Sequence, residues 1–159
     1  MTIETAGTSV QVSVLVDAPV EHAFKVFTEG MDTWWPREHH LLEGEYRDAV
    51  FEPRAGGHIY HRDTTGGVSR WARVLVYDPP SRLVFTWDIS PEWHLETDLS
   101  NASEVEVTFI AESPGRTRVE LEHRNLDRHG DGWEPLRDAV GGPDGWTSTL
   151  QAFASAAGA

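Results

Sequence analysis

Eight histidines, seven tryptophans and no cysteine define the chemistry this chain can offer. Without thiols there is no cysteine nucleophile, no thiolate metal site and no disulfide framework. The histidines are poorly spaced for chelation. His58 and His61 lie three apart in a strand-like segment, which sends them to opposite faces. His39 and His40 are adjacent in a loop, and neither a metal nor a cofactor is expected. Proton transfer needs a placed acid or base. Asp88, Asp98, Glu104, His61 and His123 stand near strand ends and are available. No nucleophile–base–orienter order is recognisable among them, so no residue is assigned a catalytic role. Gly56-Gly57 lacks a following Lys-Ser/Thr and reads as a tight turn rather than a phosphate loop.

The tryptophans offer something else. Trp87 alternates with Leu83 and Phe85 on one strand face, Trp71 lies on a neighbouring strand, and Trp146 opens the apolar face of the last helix. Such residues anchor a core, and they can also line a cavity; the two readings coexist. An aromatic lining suits a flat or apolar molecule, with indole N–H groups as donors. By strand parity His61 shares the face of Ile59, Arg73 that of Trp71, and His123 that of Val119 and Leu121. An inward His and Arg would orient a ligand carbonyl or carboxylate. Arg73 also reads as an outward sheet residue, and His123 as a capped strand end. The candidate lining is Phe27, Trp35, Ile59, His61, Trp71, Arg73, Phe85, Trp87, His123 and Trp146.

The elements that must position these residues follow from periodicity. Val10, Val12, Val14 and Val16 alternate with Gln11, Ser13 and Leu15, a half-buried strand. Asp17 can cap and Pro19 can open a helix carrying Val20, Ala23, Phe24 and Phe27, which Gly30 ends. Trp34-Trp35-Pro36 closes a second short turn. Six strands are expected next: 44–52, 57–62, 69–77, 82–88, 103–111 and 117–123, joined by Gly/Pro-rich turns short enough for antiparallel pairing. The polar stretch 89–102, with Trp93 and His94, is long enough to be a functional rim or lid. A short helix follows near Trp133–Val140, broken by Gly141-Gly142-Pro143. The last helix carries Trp146, Leu150, Phe153 and Ala157 on one face, and 154–159 is expected to fray. The fold class is α+β: a curved antiparallel sheet with a helix packed across it.

A chain of 159 residues suits one domain, with 1–8 expected as a flexible N-terminus and 9–157 as the domain. Acidic residues outnumber basic ones 26 to 13, giving −13. That field opposes nucleic-acid phosphate and an anionic membrane surface alike. The N-terminus has no basic and apolar signal pattern, and no stretch reaches transmembrane length. A soluble cytoplasmic protein is expected, its lack of cysteine fitting a reducing compartment.

Several strings in order carry a resemblance: Val16-Asp17-Ala18-Pro19-Val20-Glu21-His22-Ala23-Phe24, Trp34-Trp35-Pro36, Ala55-Gly56-Gly57-His58-Ile59-Tyr60, Asp78-Pro79-Pro80-Ser81-Arg82-Leu83-Val84-Phe85-Thr86-Trp87 and Gly145-Trp146-Thr147-Ser148-Thr149-Leu150. Over residues 10–155 the chain resembles the heat-shock-protein-90 ATPase activator homologue family, within the START-like helix-grip (SRPBCC) superfamily. The resemblance implies six to seven strands gripping a long C-terminal helix, two short helices after the first strand, and an apolar cavity between sheet and helix. The activator itself is similar only in its C-terminal domain, and His61 stands where close relatives often carry an acidic residue. Three functions follow as expectations. The first is a carrier or sensor of a small apolar or aromatic ligand. The second is a cyclase-like or hydrolytic enzyme, and the third a chaperone ATPase-activating partner. An exposed sheet edge would support a homodimer.

Overall fold

The computed structural model describes residues 2–158, with side chains from residue 7 onward. Eight strands form one antiparallel sheet in the order β1-β2-β8-β7-β6-β5-β4-β3. They are β1 (Thr2–Ala6), β2 (Ser9–Val16), β3 (Tyr46–Phe51), β4 (His58–Asp63), β5 (Val68–Asp78), β6 (Arg82–Trp87), β7 (Ser103–Ser113) and β8 (Arg116–Arg124). The helices are α1 (Val20–Thr28), α2 (Trp133–Val140) and α3 (Ser148–Ala157). This is the helix-grip fold.

Three expectations need correction. The sheet has eight strands rather than six or seven, because residues 2–6, given no element from sequence, pair with β2. Ala6 pairs with Ser9 across Gly7-Thr8, and Gly7 adopts φ +58°, a conformation glycine takes without a Cβ clash. Asp17 does not cap α1; Pro19 occupies the cap position and its carbonyl accepts from the Ala23 N–H. The C-terminal stretch does not fray at 154, since α3 continues to Ala157, whose side chain is buried; Ala159 lies outside the described residues.

One sheet face is the core. In β8, Thr117, Val119, Leu121 and His123 are buried while the residues between them reach solvent. α3 lays Leu150, Phe153 and Ala157 onto that face. Phe27 of α1 meets Trp34, Phe109 and Phe153 at ring distances of 5.0, 5.7 and 5.1 Å. The contacts with Phe109 and Phe153 are edge-to-face, a geometry that adds to the area they bury. The helical C-terminal region is interrupted between α2 and α3 by a wide turn, Pro143–Thr147, kinked at Gly145. There a Cβ would fall on the Val140 carbonyl, so only glycine fits. The kink sets Trp146 at the entrance to α3, facing inward.

Candidate functional site

Four indoles form a closed ring. Trp35 lies 4.9 Å from Trp71, Trp71 5.6 Å from Trp87, Trp87 5.7 Å from Trp146, and Trp146 6.3 Å from Trp35. Each comes from a different element. Trp35 follows the turn Met31–Thr33, Trp71 and Trp87 sit on β5 and β6, and Trp146 sits in the turn before α3. All four border a cavity of about 320 Å³. That volume accommodates a small polycyclic molecule. Glu38, His39, His40 and Leu41 form one side of its mouth, and Trp93 and Asp144 stand at others. Trp93 is half exposed and adopts φ +63°. A bulky residue rarely takes that left-handed conformation, and such strain concentrates at binding and switching segments.

A bulge in β5 aims Trp71 inward. Ile59 pairs with Ala72 and Tyr60 with Arg70, so Trp71 is an extra residue that joins Ala72 on the core face. The bulge reverses parity beyond it. Arg73 pairs with His58 on the outer face, where its backbone N–H donates to Thr86 Oγ1. The inward placement expected for Arg73 is therefore corrected. β4 has no extra residue, and His61 faces inward as its spacing implies.

The ring contains two kinds of indole. The Trp35 Nε1–H donates to the His39 carbonyl at 2.9 Å, and the Trp146 Nε1–H donates to His123 Nδ1 at 3.1 Å. The N–H groups of Trp71 and Trp87 have no partner and are sealed from water. Both ring nitrogens of His61 and the hydroxyl of Ser69, its cross-strand neighbour, are in the same condition. His61 packs 5.6 Å from both Trp35 and Trp71. Burial, with a smaller contribution from His40, pushes its pKa down to about 3, so it is neutral near pH 7. Tyr46, against His61 at 5.4 Å, has a phenol pushed up to about 12, chiefly by burial. Buried polar groups are normally paired, and each orphan forgoes a hydrogen bond.

Of the ten residues expected to line the cavity, Trp35, His61, Trp71, Trp87 and Trp146 do so. Phe27 and Ile59 belong to the packed core, and Phe85 lies behind Trp71, edge-on at 6.0 Å. His123 faces inward but is fully buried behind Trp87 and Trp146. Sequence reading missed Ser69, Ile89, Val140, Thr149 and the 38–41 side of the mouth. Only Trp93 carried a signal, as an aromatic in a long polar loop. The acids held open for proton transfer act elsewhere. Asp98 accepts from Ser100 N–H, Glu104 pairs with Arg124, and Asp88 is buried beside Thr86 with its pKa raised by burial. No group of three or more His, Asp or Glu among the described residues could hold a metal ion. No helix among them is long and apolar enough to cross a membrane.

The family model for activator of Hsp90 ATPase homolog 1-like protein matches residues 17–158. No curated protein matches the chain. Among solved structures, the chain is 44% identical to an anthrahydroquino-gamma-pyrone synthase, Txn09, with a TM-score of 0.66 over 93% of this chain and 96% of that one. It is 31% identical to CalC, a self-sacrificing resistance protein from Micromonospora echinospora, with a TM-score of 0.66 over 94% of both chains. A protein of Nitrosomonas europaea, 17% identical with a TM-score of 0.65 over 94% of both, has the same fold.

Proposed function

The chain belongs to the activator of Hsp90 ATPase homolog 1-like family, and we propose that it binds a flat polycyclic aromatic molecule bearing carbonyl or hydroxyl oxygens. The observation that carries this reading is the indole ring around the cavity, with unpartnered donors on Trp71 and Trp87 beside it. Four indoles offer face and edge contacts to a planar ligand. A carbonyl entering between them recovers the hydrogen bonds these groups forgo, once the sealing rings shift. His61 and Ser69 add groups that donate or accept. The cavity lining is mainly aromatic while the chain as a whole carries −13, which favours an uncharged aromatic over an anionic one. Titration with alizarin, followed by quenching of tryptophan fluorescence, tests this. Saturable quenching with one ligand per chain is expected. No quenching, together with an unchanged melting temperature, would exclude it.

A second reading is a ring-closing enzyme, favoured by the 44% identity to a protein described as a pyrone synthase. Closure of a phenol onto a neighbouring alkynone is an isomerisation: the oxygen–carbon bond forms, and the phenolic proton ends on carbon. His61 is the imidazole at the cavity whose two unpartnered ring nitrogens can accept and return that proton. The check is whether an ortho-alkynoyl phenol closes to its γ-pyrone faster with the protein than without it. Loss of the acceleration in His61→Phe would place the proton transfer there; equal rates with and without protein would leave binding alone.

A further inference from the structure

The orphan groups that line the cavity, on His61, Ser69, Trp71 and Trp87, lie on its sheet side, on β4, β5 and β6. On the helix side the two hydrogen-bonding side chains buried in the wall, Thr149 and Trp146, are engaged inside the protein, and exposed Asp144 stands only at the mouth. The Thr149 hydroxyl donates to the Gly145 carbonyl at 3.1 Å, and the Trp146 N–H is held by His123. Behind that bond runs a buried chain of side chains. Ser103 Oγ lies 2.7 Å from His123 Nε2 and 2.7 Å from His129 Nε2.

The direction of this chain follows from its ends. An indole N–H can only donate, so His123 Nδ1 accepts and the neutral ring carries its proton on Nε2. That proton is donated to Ser103 Oγ. At the other end, the Ser103 backbone N–H donates to His129 Nε2 at 3.3 Å, so that nitrogen also accepts. The Ser103 hydroxyl must then donate to His129 and accept from His123. The donors of Trp146, His123 and Ser103 all run in one direction towards His129, whose Nδ1 has no partner, and the Trp146 N–H is thereby held away from the cavity.

Resting on the ligand-binding reading above, we propose that His123 is a positioning residue that makes the cavity two-faced. It holds the Trp146 N–H, so the helix wall presents no free hydrogen-bond donor, and ligand oxygens are read only from the sheet wall by Trp71, Trp87, His61 and Ser69. The ligand class is narrowed accordingly: a fused-ring aromatic whose oxygenated edge faces the sheet and whose carbon framework faces α3.

Xanthone and xanthene test this, because they share a tricyclic frame and differ at one position, a carbonyl against a methylene. The ratio of their dissociation constants reads the carbonyl's hydrogen bonding. Wild type should favour xanthone by about tenfold, one neutral hydrogen bond's worth. Trp71→Phe should reduce that preference severalfold. Trp146→Phe should weaken both tricycles equally and leave the ratio unchanged. His123→Leu should free the Trp146 N–H and raise the xanthone preference, with a shift in tryptophan emission. His123→Gln, whose amide can both accept from Trp146 and donate to Ser103, should restore the wild-type ratio. If Trp146→Phe lowers the ratio as Trp71→Phe does, Trp146 reads the ligand and the proposal is wrong. The same follows if folded His123→Leu keeps the wild-type ratio. Binding of both tricycles without preference would overturn the two-faced cavity while leaving aromatic binding intact. Binding of neither would overturn both readings.

Discussion

At the scale of single residues, the most informative side chain is His61. Its two nitrogens are buried without partners beside a cavity, which costs stability in the free protein. Replacing it with leucine should raise the melting temperature of the free protein by roughly 2–6 °C. The same change should weaken alizarin binding, measured by fluorescence titration. A gain in stability without a loss of affinity would show that His61 has no part in binding. Protonation of buried imidazoles predicts a second effect. Burial pushes His61 and His123 down to about 3 and lowers His129. In the unfolded chain these groups take up protons as pH falls through about 6.5, whereas in the folded protein they stay neutral to lower pH. The unfolded state therefore binds more protons in that window, and stability falls as pH drops from about 6.5 towards 3. Urea midpoints should be lower near pH 5 than near pH 7.5, and the difference should be smaller in His61→Leu.

At the scale of elements, two local irregularities build the site. The β5 bulge turns Trp71 inward and sends Arg73 outward. Arg73→Gln should accordingly leave alizarin affinity within about twofold of wild type, as expected for a change remote from the ligand. The kink between α2 and α3 sets Trp146. Gly145→Ala would press a Cβ into the Val140 carbonyl, and a forced shift of the α3 entrance should cost about 2 kcal/mol or more. Chemical denaturation measures that cost, and loss of ligand-induced quenching in the folded variant measures the displaced wall. The strands themselves were legible from sequence because their alternation is local. Residues 103–111 and 117–123 lie wholly within β7 and β8. The bulge was not legible, since nothing in Ser69-Arg70-Trp71-Ala72-Arg73 marks which residue is the extra one. That is decided by β4 pairing on the other side.

At the scale of the whole molecule, the sheet and the C-terminal helix share one aromatic core. Phe153 is fully buried between Phe27 and Trp34 and ties α3 to α1. Phe153→Ala should cost about 3–5 kcal/mol by leaving a cavity that rigid neighbours cannot refill. Urea denaturation is the measurement, and a loss below about 1 kcal/mol would mean that α3 can repack. The outer face is organised differently. Arg124 reaches Glu104, Glu106 and Glu122, and Arg82 reaches Glu106. These ion pairs order side chains on a strongly acidic surface, and partly exposed pairs add little stability each.

The tryptophans show where sequence stops. Composition and period alone determined an α+β domain, the inward faces of β4, β6 and β8, a broken helical C-terminus, and an aromatic excess suited to a cavity. They determined this much because burial alternates with fixed local periods. Which indoles meet was decided by tertiary structure. Trp35, Trp71, Trp87 and Trp146 are brought together from four elements by a bulge, a kink and the curl of the sheet. His123 was expected at the cavity surface and lies one layer behind it, because strand parity gives a residue's face but not its depth. Depth depends on what packs over the face, here Trp87 and Trp146. Whether an indole N–H faces a ligand or a neighbouring imidazole is a matter of side-chain partners distant in sequence, and only the folded chain supplies them.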